Sequence, residues 1–233
     1  GGSVCDASAM PFAPVIAASS CIAEAFAYHA GDHPMAGRRT FGLSLWSPNS
    51  SWLEGSEEAP DIAYLPSALW LIGMGNLGQA MAWLLGCLPY RDRNEVRLVL
   101  QDFDRIAASN DSTSVLSSAA LIGMRKTRIV AAWLEQLGFD VAINEQRFGV
   151  WTRVSPHDPQ VTLCGVDNPL ARAALEKAGF GLVVEAGLGS GPDGFRAFAM
   201  HSFPSALRAE RLWSQDMGSR PDVSDKPAYQ SLK

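Results

Sequence analysis

Apolar and polar positions along this chain follow two rhythms, and the switch between them marks its elements. Between residues 12 and 30, Val15, Ile16, Ile22, Ala23, Phe26 and Ala27 recur at helical spacing, which predicts a helix. Over 40–46, Phe41, Leu43 and Leu45 share one face, the two-residue period of a strand, and Ser47-Pro48-Asn49-Ser50-Ser51 ends it. The acidic stretch 54–61, broken by Gly55 and Pro60, reads as a linker. Beyond it, short apolar runs alternate with amphipathic ones. Strands are expected at 69–72, 96–100, 141–144, 161–163 and from 183, and helices at 77–88, 123–137 and 169–178. Residues 195–200 alternate like a further strand, and the polar tail after Arg208, with Pro221 and Pro227, is expected to be the least ordered part.

This rhythm predicts an α/β, Rossmann-like fold: a mostly parallel sheet with helices on both faces, preceded by an N-terminal helix and strand extension. The expected division is an extension over 1–66 and a nucleotide-binding domain over 67–233.

Composition narrows the function. Of 233 residues, 47% are hydrophobic and 18% charged, a core-forming balance. A net charge of −5 argues against nucleic acid as a partner, because phosphate binding draws on Lys and Arg. Cys5, Cys21, Cys87 and Cys164 form no C-x-x-C pair, so neither zinc nor a disulfide framework is expected, and free thiols suit the cytoplasm. No apolar run is long enough for a membrane span. The Ala-rich stretch 9–30 carries Pro11, Pro14, Glu24 and His29 without a basic leader, so it is not read as a signal peptide.

The sharpest motif is Gly73-Met74-Gly75-Asn76-Leu77-Gly78, a G-x-G-x-x-G loop between an expected strand and an expected helix. Gly73 would make the turn, Gly75 would let backbone N–H groups approach a phosphate, and Gly78 would let helix and sheet pack closely. The next strand ends in Asp102, suited to accept hydrogen bonds from ribose hydroxyls. Further on, Lys126 opens a helix. Hydride transfer to a dinucleotide gives such a lysine no task, whereas attack on the α-phosphate of ATP builds negative charge that a lysine stabilises.

Together, G-x-G-x-x-G, Asp102-Phe103-Asp104, Ser109-Asn110, Ile122-Gly123-Met124-Arg125-Lys126 and Val166-Asp167-Asn168 resemble the ThiF/MoeB/HesA family, which activates ubiquitin-like and sulfur-carrier proteins. The resemblance covers about 67–189 and implies adenylation of a carrier's C-terminal carboxylate by ATP. On it, Gly73, Gly75, Asn76 and Gly78 cradle the nucleotide, Asp102 binds the ribose, and Asn110 and Lys126 contact the phosphates. Lys126 and Asp167 are the catalytic pair, with Asp167 holding Mg2+ near the α-phosphate. It also implies a homodimer and a carrier-protein partner.

Two positions depart from the family pattern. Thr113 stands where the family has Arg, and Asn76 where it has Gly. Arg supplies a permanent planar cation that Thr cannot; Arg125, Arg128, or Arg38 and Arg39 from a partner subunit could compensate. The chain also lacks the family's thioester cysteine and zinc-binding pairs, and it ends sooner than expected for a complete member. Cys164 is expected to pack in the core.

His201 is expected to be structural, and His29, His33 and His157 show no ligand spacing. Ser190, within 187–191, does not match a nucleophile elbow, so those glycines are expected to form a flexible edge of the site. Trp70, Trp83 and Trp133 belong to the expected core, while Trp46, Trp52, Trp151 and Trp213 could line an interface. The rival readings are a degenerate homologue acting as a partner subunit, and an NAD-dependent oxidoreductase.

Overall fold

A computed structural model of the chain describes residues 2–3, 10–40, 42–48, 51, 62–188 and 198–214. Cys5, Trp52, the acidic linker, Ser190 with most of its glycine segment, and the tail from 215 lie outside them. The chain divides into two compact units, one of residues 3–65 and 87–91, the other of 1–2, 66–86 and 92–233.

The smaller unit is built on α1 (Phe12–Ala30), the helix its periodicity predicts. It ends where Gly31 turns left-handed at φ 68° and donates to the Tyr28 carbonyl at 3.2 Å. None of its residues is buried, and Ile22 is 72% exposed, so the apolar stripe is not a core face. Phe41 lies outside the described residues, and the described residues of the strand expected over 40–46 are not a strand: 42–48 run as coil, bends and a turn. A strand needs a partner ladder to satisfy its backbone, and alternation alone supplies none. Leu43 and Leu45 accordingly stay exposed.

The larger unit contains a six-stranded sheet: β1 (Ala68–Ile72), β2 (Arg97–Gln101), β3 (Asp140–Asn144), β4 (Val161–Cys164), β5 (Leu182–Leu188) and β6 (Phe198–Phe203). Their order is β3-β2-β1-β4-β5-β6. The first five are parallel and β6 runs antiparallel to β5. This is the doubly wound order, and it reverses direction at β1. Ile72 stands level with Gln101 on one side and Cys164 on the other, so three strands end at one height.

Helices α2 (Asn76–Cys87), α3 (Lys126–Gln136) and α4 (Pro169–Ala173) follow β1, β2 and β4. Trp70, Ile72, Val99, Phe148, Leu175, Phe180, Val183 and Phe203 form one buried layer. Strand alternation turns Leu69, Leu71, Leu98 and Leu100 to the opposite face, and all four are buried. Gly86 of α2 admits Trp133 of α3, since a Cβ there would lie 2.3 Å from its ring.

Beyond shifts of a residue at strand ends, β6 spans Phe198–Phe203 where 195–200 is expected, and the helices depart from the sequence reading as well. α3 starts at Lys126 because Gly123 takes φ 88° and Arg125 stays extended. The helix expected over 169–178 gives way after Ala173 to a 3-10 turn at Glu176–Ala178, stopped by Gly179 at φ 97°. A fifth helix, α5 (Ala209–Ser214), begins where the Glu176 carboxylate accepts the Ala209 N–H, a long-range cap without local sequence trace. Among the described residues no helix is long and apolar enough to cross a membrane.

Candidate functional site

The chain leaves β1 through the glycine turn. Gly73 sits at φ 85°, and a Cβ on it would lie 2.8 Å from the Val166 side chain. A Cβ on Gly78 would stand 1.7 Å from the Gly73 carbonyl oxygen, so the turn closes only with glycine there. Around Gly75, by contrast, a Cβ would meet nothing within 4 Å. The turn is pinned on both sides, with Gly73 N–H donating to the Gln101 carbonyl at 2.8 Å and Gly165 N–H to the Ile72 carbonyl at 2.9 Å. α2 then starts at Asn76, and the first N–H groups of a helix have no partner within it. A glycine-walled turn, open space at Gly75 and a helix N-terminus together fit an anionic group such as a phosphate.

Asp102 is 8% exposed. Its Oδ2 accepts the Met74 N–H at 2.6 Å and its Oδ1 the Asp104 N–H at 2.7 Å. The carboxylate thus fastens the glycine turn, and its remaining lone pairs can still meet a hydroxyl. Lys126 opens α3 with its Nζ 3.3 Å from Asp104 Oδ2, and its side chain is 12% exposed against 49% for the aspartate. Asn110 turns its Oδ1 to the Ala107 N–H at 2.9 Å and closes a 3-10 turn. Asp167 is exposed in the loop after β4. That loop lies against the start of α2, since a Cβ on Gly165 would be 3.1 Å from the Gly78 nitrogen. Asn168 caps α4, accepting from Leu170 and Ala171 N–H groups at 2.9 and 3.3 Å.

The two departures from the family pattern touch each other. Asn76 Oδ1 faces the hydroxyls of Thr113, at 3.2 Å, and of Ser114. One turn further, fully buried Gln79 donates to the Met74 carbonyl at 3.2 Å and accepts the Leu116 N–H at 3.0 Å. Residues 113–117 are therefore stitched to the start of α2 by neutral groups. The arginines nearby are engaged: Arg125 donates to the Phe103 carbonyl, and Arg128 pairs with Glu145 at 2.8 Å, which holds that carboxyl below its ordinary range. Arg147 lies over the Phe103 ring at 4.3 Å. In the smaller unit Glu24 binds Arg39 and the Gly37 N–H.

Cys164 is buried, and burial pushes its thiol up to about 12, a packing residue and not a nucleophile at neutral pH. Behind it lies a buried charge cluster that sequence reading missed. Glu185 of β5, fully buried, accepts from the Trp213 indole N–H at 2.8 Å, meets His201 Nδ1 at 2.9 Å and has Arg172 Nε at 3.7 Å. Trp213 thus belongs to this cluster and not to an interface. No spacing could have revealed it, because its members come from α4, β5, β6 and α5. Among the described residues no group of three or more His, Cys, Asp or Glu could hold a metal. A magnesium ion would depend on Asp167 together with phosphate and water oxygens, which is its ordinary habit at nucleotide sites.

Comparison with known proteins adds family and relatives. The BilD C-terminal domain profile matches residues 65–233, and the BilD N-terminal domain profile matches residues 2–45. The bacterial E1-like protein BilD of Collimonas sp. (strain OK412) is 53% identical over 234 residues, covering 100% of this chain and 51% of that protein. The chain spans about half the length of the curated relative it matches. Among solved structures, E. coli tRNA N6-threonylcarbamoyladenosine dehydratase TcdA aligns with 47% of this chain and 45% of its own at 16% identity and a TM-score of 0.42. E. coli MccB with ATP aligns with 53% and 38% at 16% identity and a TM-score of 0.41. Likeness of that order adds nothing to the fold assignment, which stands on the sheet order.

Proposed function

Because the chain belongs to the BilD family, of which one member is described as E1-like, we propose that it binds ATP at the Gly73–Gly78 turn and adenylates the C-terminal carboxylate of a ubiquitin-like or sulfur-carrier protein. The carrying observation is that Asp102 holds the Met74 N–H, Lys126 reaches Asp104, and the loop with Asp167 lies against Gly78, all at the ends of β1, β2 and β4. Ligands of open α/β sheets bind at this switch point.

The first N–H groups of α2 receive phosphate oxygens, and Asp102 takes the ribose hydroxyls while keeping its bonds to the turn. Lys126 opposes the charge that grows at the α-phosphate as the carrier carboxylate attacks. Its partner Asp104 is half exposed while Lys126 is largely buried, so a phosphate oxygen would take the place of Asp104 beside the ammonium. Asp167 is the side chain that would hold Mg2+, which would supply charge neutralisation at the phosphates. A homodimer as the working unit and a carrier tail as the acceptor rest on the family resemblance.

The contact of Asn76 with Thr113 and Ser114 favours a second reading. With hydroxyls where the family carries arginine, the fold would bind nucleotide and serve as a partner subunit without turnover. Carrier-dependent ATP–pyrophosphate exchange on the full-length protein separates the two. Adenylation predicts exchange that falls at least about a hundredfold in Lys126→Ala and in Asp167→Ala, the scale of one lost transition-state contact. Nucleotide binding with no exchange in the wild type establishes the partner-subunit reading instead.

A further inference from the structure

We propose that Arg172 is a positioning residue that holds the loop carrying Asp167 against the glycine turn. The inference rests on the adenylation reading only for the task of Asp167. The tether itself is read from the buried cluster.

Arg172 has a side chain 8% exposed. Its Nε donates to the Val166 carbonyl at 2.6 Å, and its Nη2 donates to the Ala186 carbonyl at 3.2 Å. Val166 is the residue before Asp167, and its side chain is the one a Cβ on Gly73 would strike. One guanidinium therefore clamps the backbone beside Asp167 to β5 while that loop presses on the turn. The rest of the cluster keeps the guanidinium in place. Glu185 balances its charge at 3.7 Å, and the Trp213 ring lies beneath it at 4.5 Å. Trp213 and His201 in turn hold Glu185. Gly187 leaves the space, because a Cβ there would stand 2.0 Å from Arg172 Nη2. That gives this glycine a packing reason where the sequence suggested flexibility.

Lysine in place of Arg172 keeps the charge and loses the planar fork that serves two carbonyls at once. Two measurements on Arg172→Lys in the full chain decide the proposal. The first is amide hydrogen exchange without ligand. Gly165 N–H, bonded to Ile72, and the Leu170 and Ala171 N–H groups, bonded to Asn168, report on the loop. Their exchange is expected to rise at least tenfold while amides of β1 and β2 keep their protection. Unchanged loop amides, or a uniform rise across the sheet, overturns the tether.

The second measurement is ATP affinity with and without Mg2+. The variant is expected to keep Mg2+-free affinity and to lose the Mg2+-dependent gain as fully as Asp167→Ala does, with no further loss in the double variant. Additive losses overturn the positioning role. A wild type that binds no ATP defeats the adenylation reading, while the exchange data still judge the tether. Should Arg172→Lys fail to fold, Trp213→Phe withdraws one support of Glu185 and is read at the same amides with the same two outcomes.

Discussion

At single residues, what counts is whether a group's chemistry is spent on the fold or left for a ligand. Cys164 is spent: it is buried and its thiol is pushed up to about 12. An exposed-thiol reagent at pH 8 should label Cys21 and Cys87, both exposed, and leave Cys164 unlabelled until denaturant is added. Labelling of Cys164 in the native protein would refute its packing role. The same thiol predicts a pH effect. Its folded pKa stands above the ordinary 9.0, so the unfolded chain releases the proton first. The contribution is fully present below pH 9.0 and is lost as pH rises towards 12, by at most about 1.4 kcal/mol per pH unit from this group. Urea midpoints measured upward from pH 9 should fall less steeply in Cys164→Ala than in the wild type.

Residue types announced only part of this. Gly73 and Gly78 were legible because a turn's demand for glycine is local, whereas the fold itself makes no such demand at Gly75. Asp102 was legible by position, but its double duty on Met74 and Asp104 N–H groups was not. Arg172, Glu185 and Trp213 gave no signal, since their partners lie on other elements.

Among the elements, β1 and β2 followed from apolar runs because burial on both faces leaves little choice of residue. The failures fell where pairing or capping is long-range. The alternation at 40–46 found no ladder, and α5 depends on Glu176 for its first turn. α4 is the short element nearest the candidate site, and Asn168 is its cap. Asn168→Ala should cost about 1 kcal/mol, the ordinary worth of such a cap, and lower the urea midpoint accordingly. No change would mean that the α4 N-terminus is held by other contacts, Arg172 foremost.

For the whole molecule, the proposed nucleotide site lies where the sheet changes direction. The sheet reverses its order at β1, where Asp102 holds the glycine turn and the loop after β4 lies against it, and Lys126 pairs with Asp104 after β2. The fold was legible because the βαβ rhythm fixes which strand ends meet. The neutral seam of Asn76 with Thr113 and Ser114 was legible only as two separate departures, and their contact is a fact of the fold.

Gly75 gives the most direct test. Its surroundings leave a Cβ free of any atom within 4 Å, so Gly75→Val should still fold, at a cost of about 1 kcal/mol for the poorer cap of α2, yet fill the room proposed for phosphate. Titration of both proteins with ATP is the measurement. The account predicts binding by the wild type and at least about fiftyfold weaker binding, some 2.3 kcal/mol, by the variant. Equal ATP affinity in the two proteins would contradict a nucleotide at the Gly73–Gly78 turn.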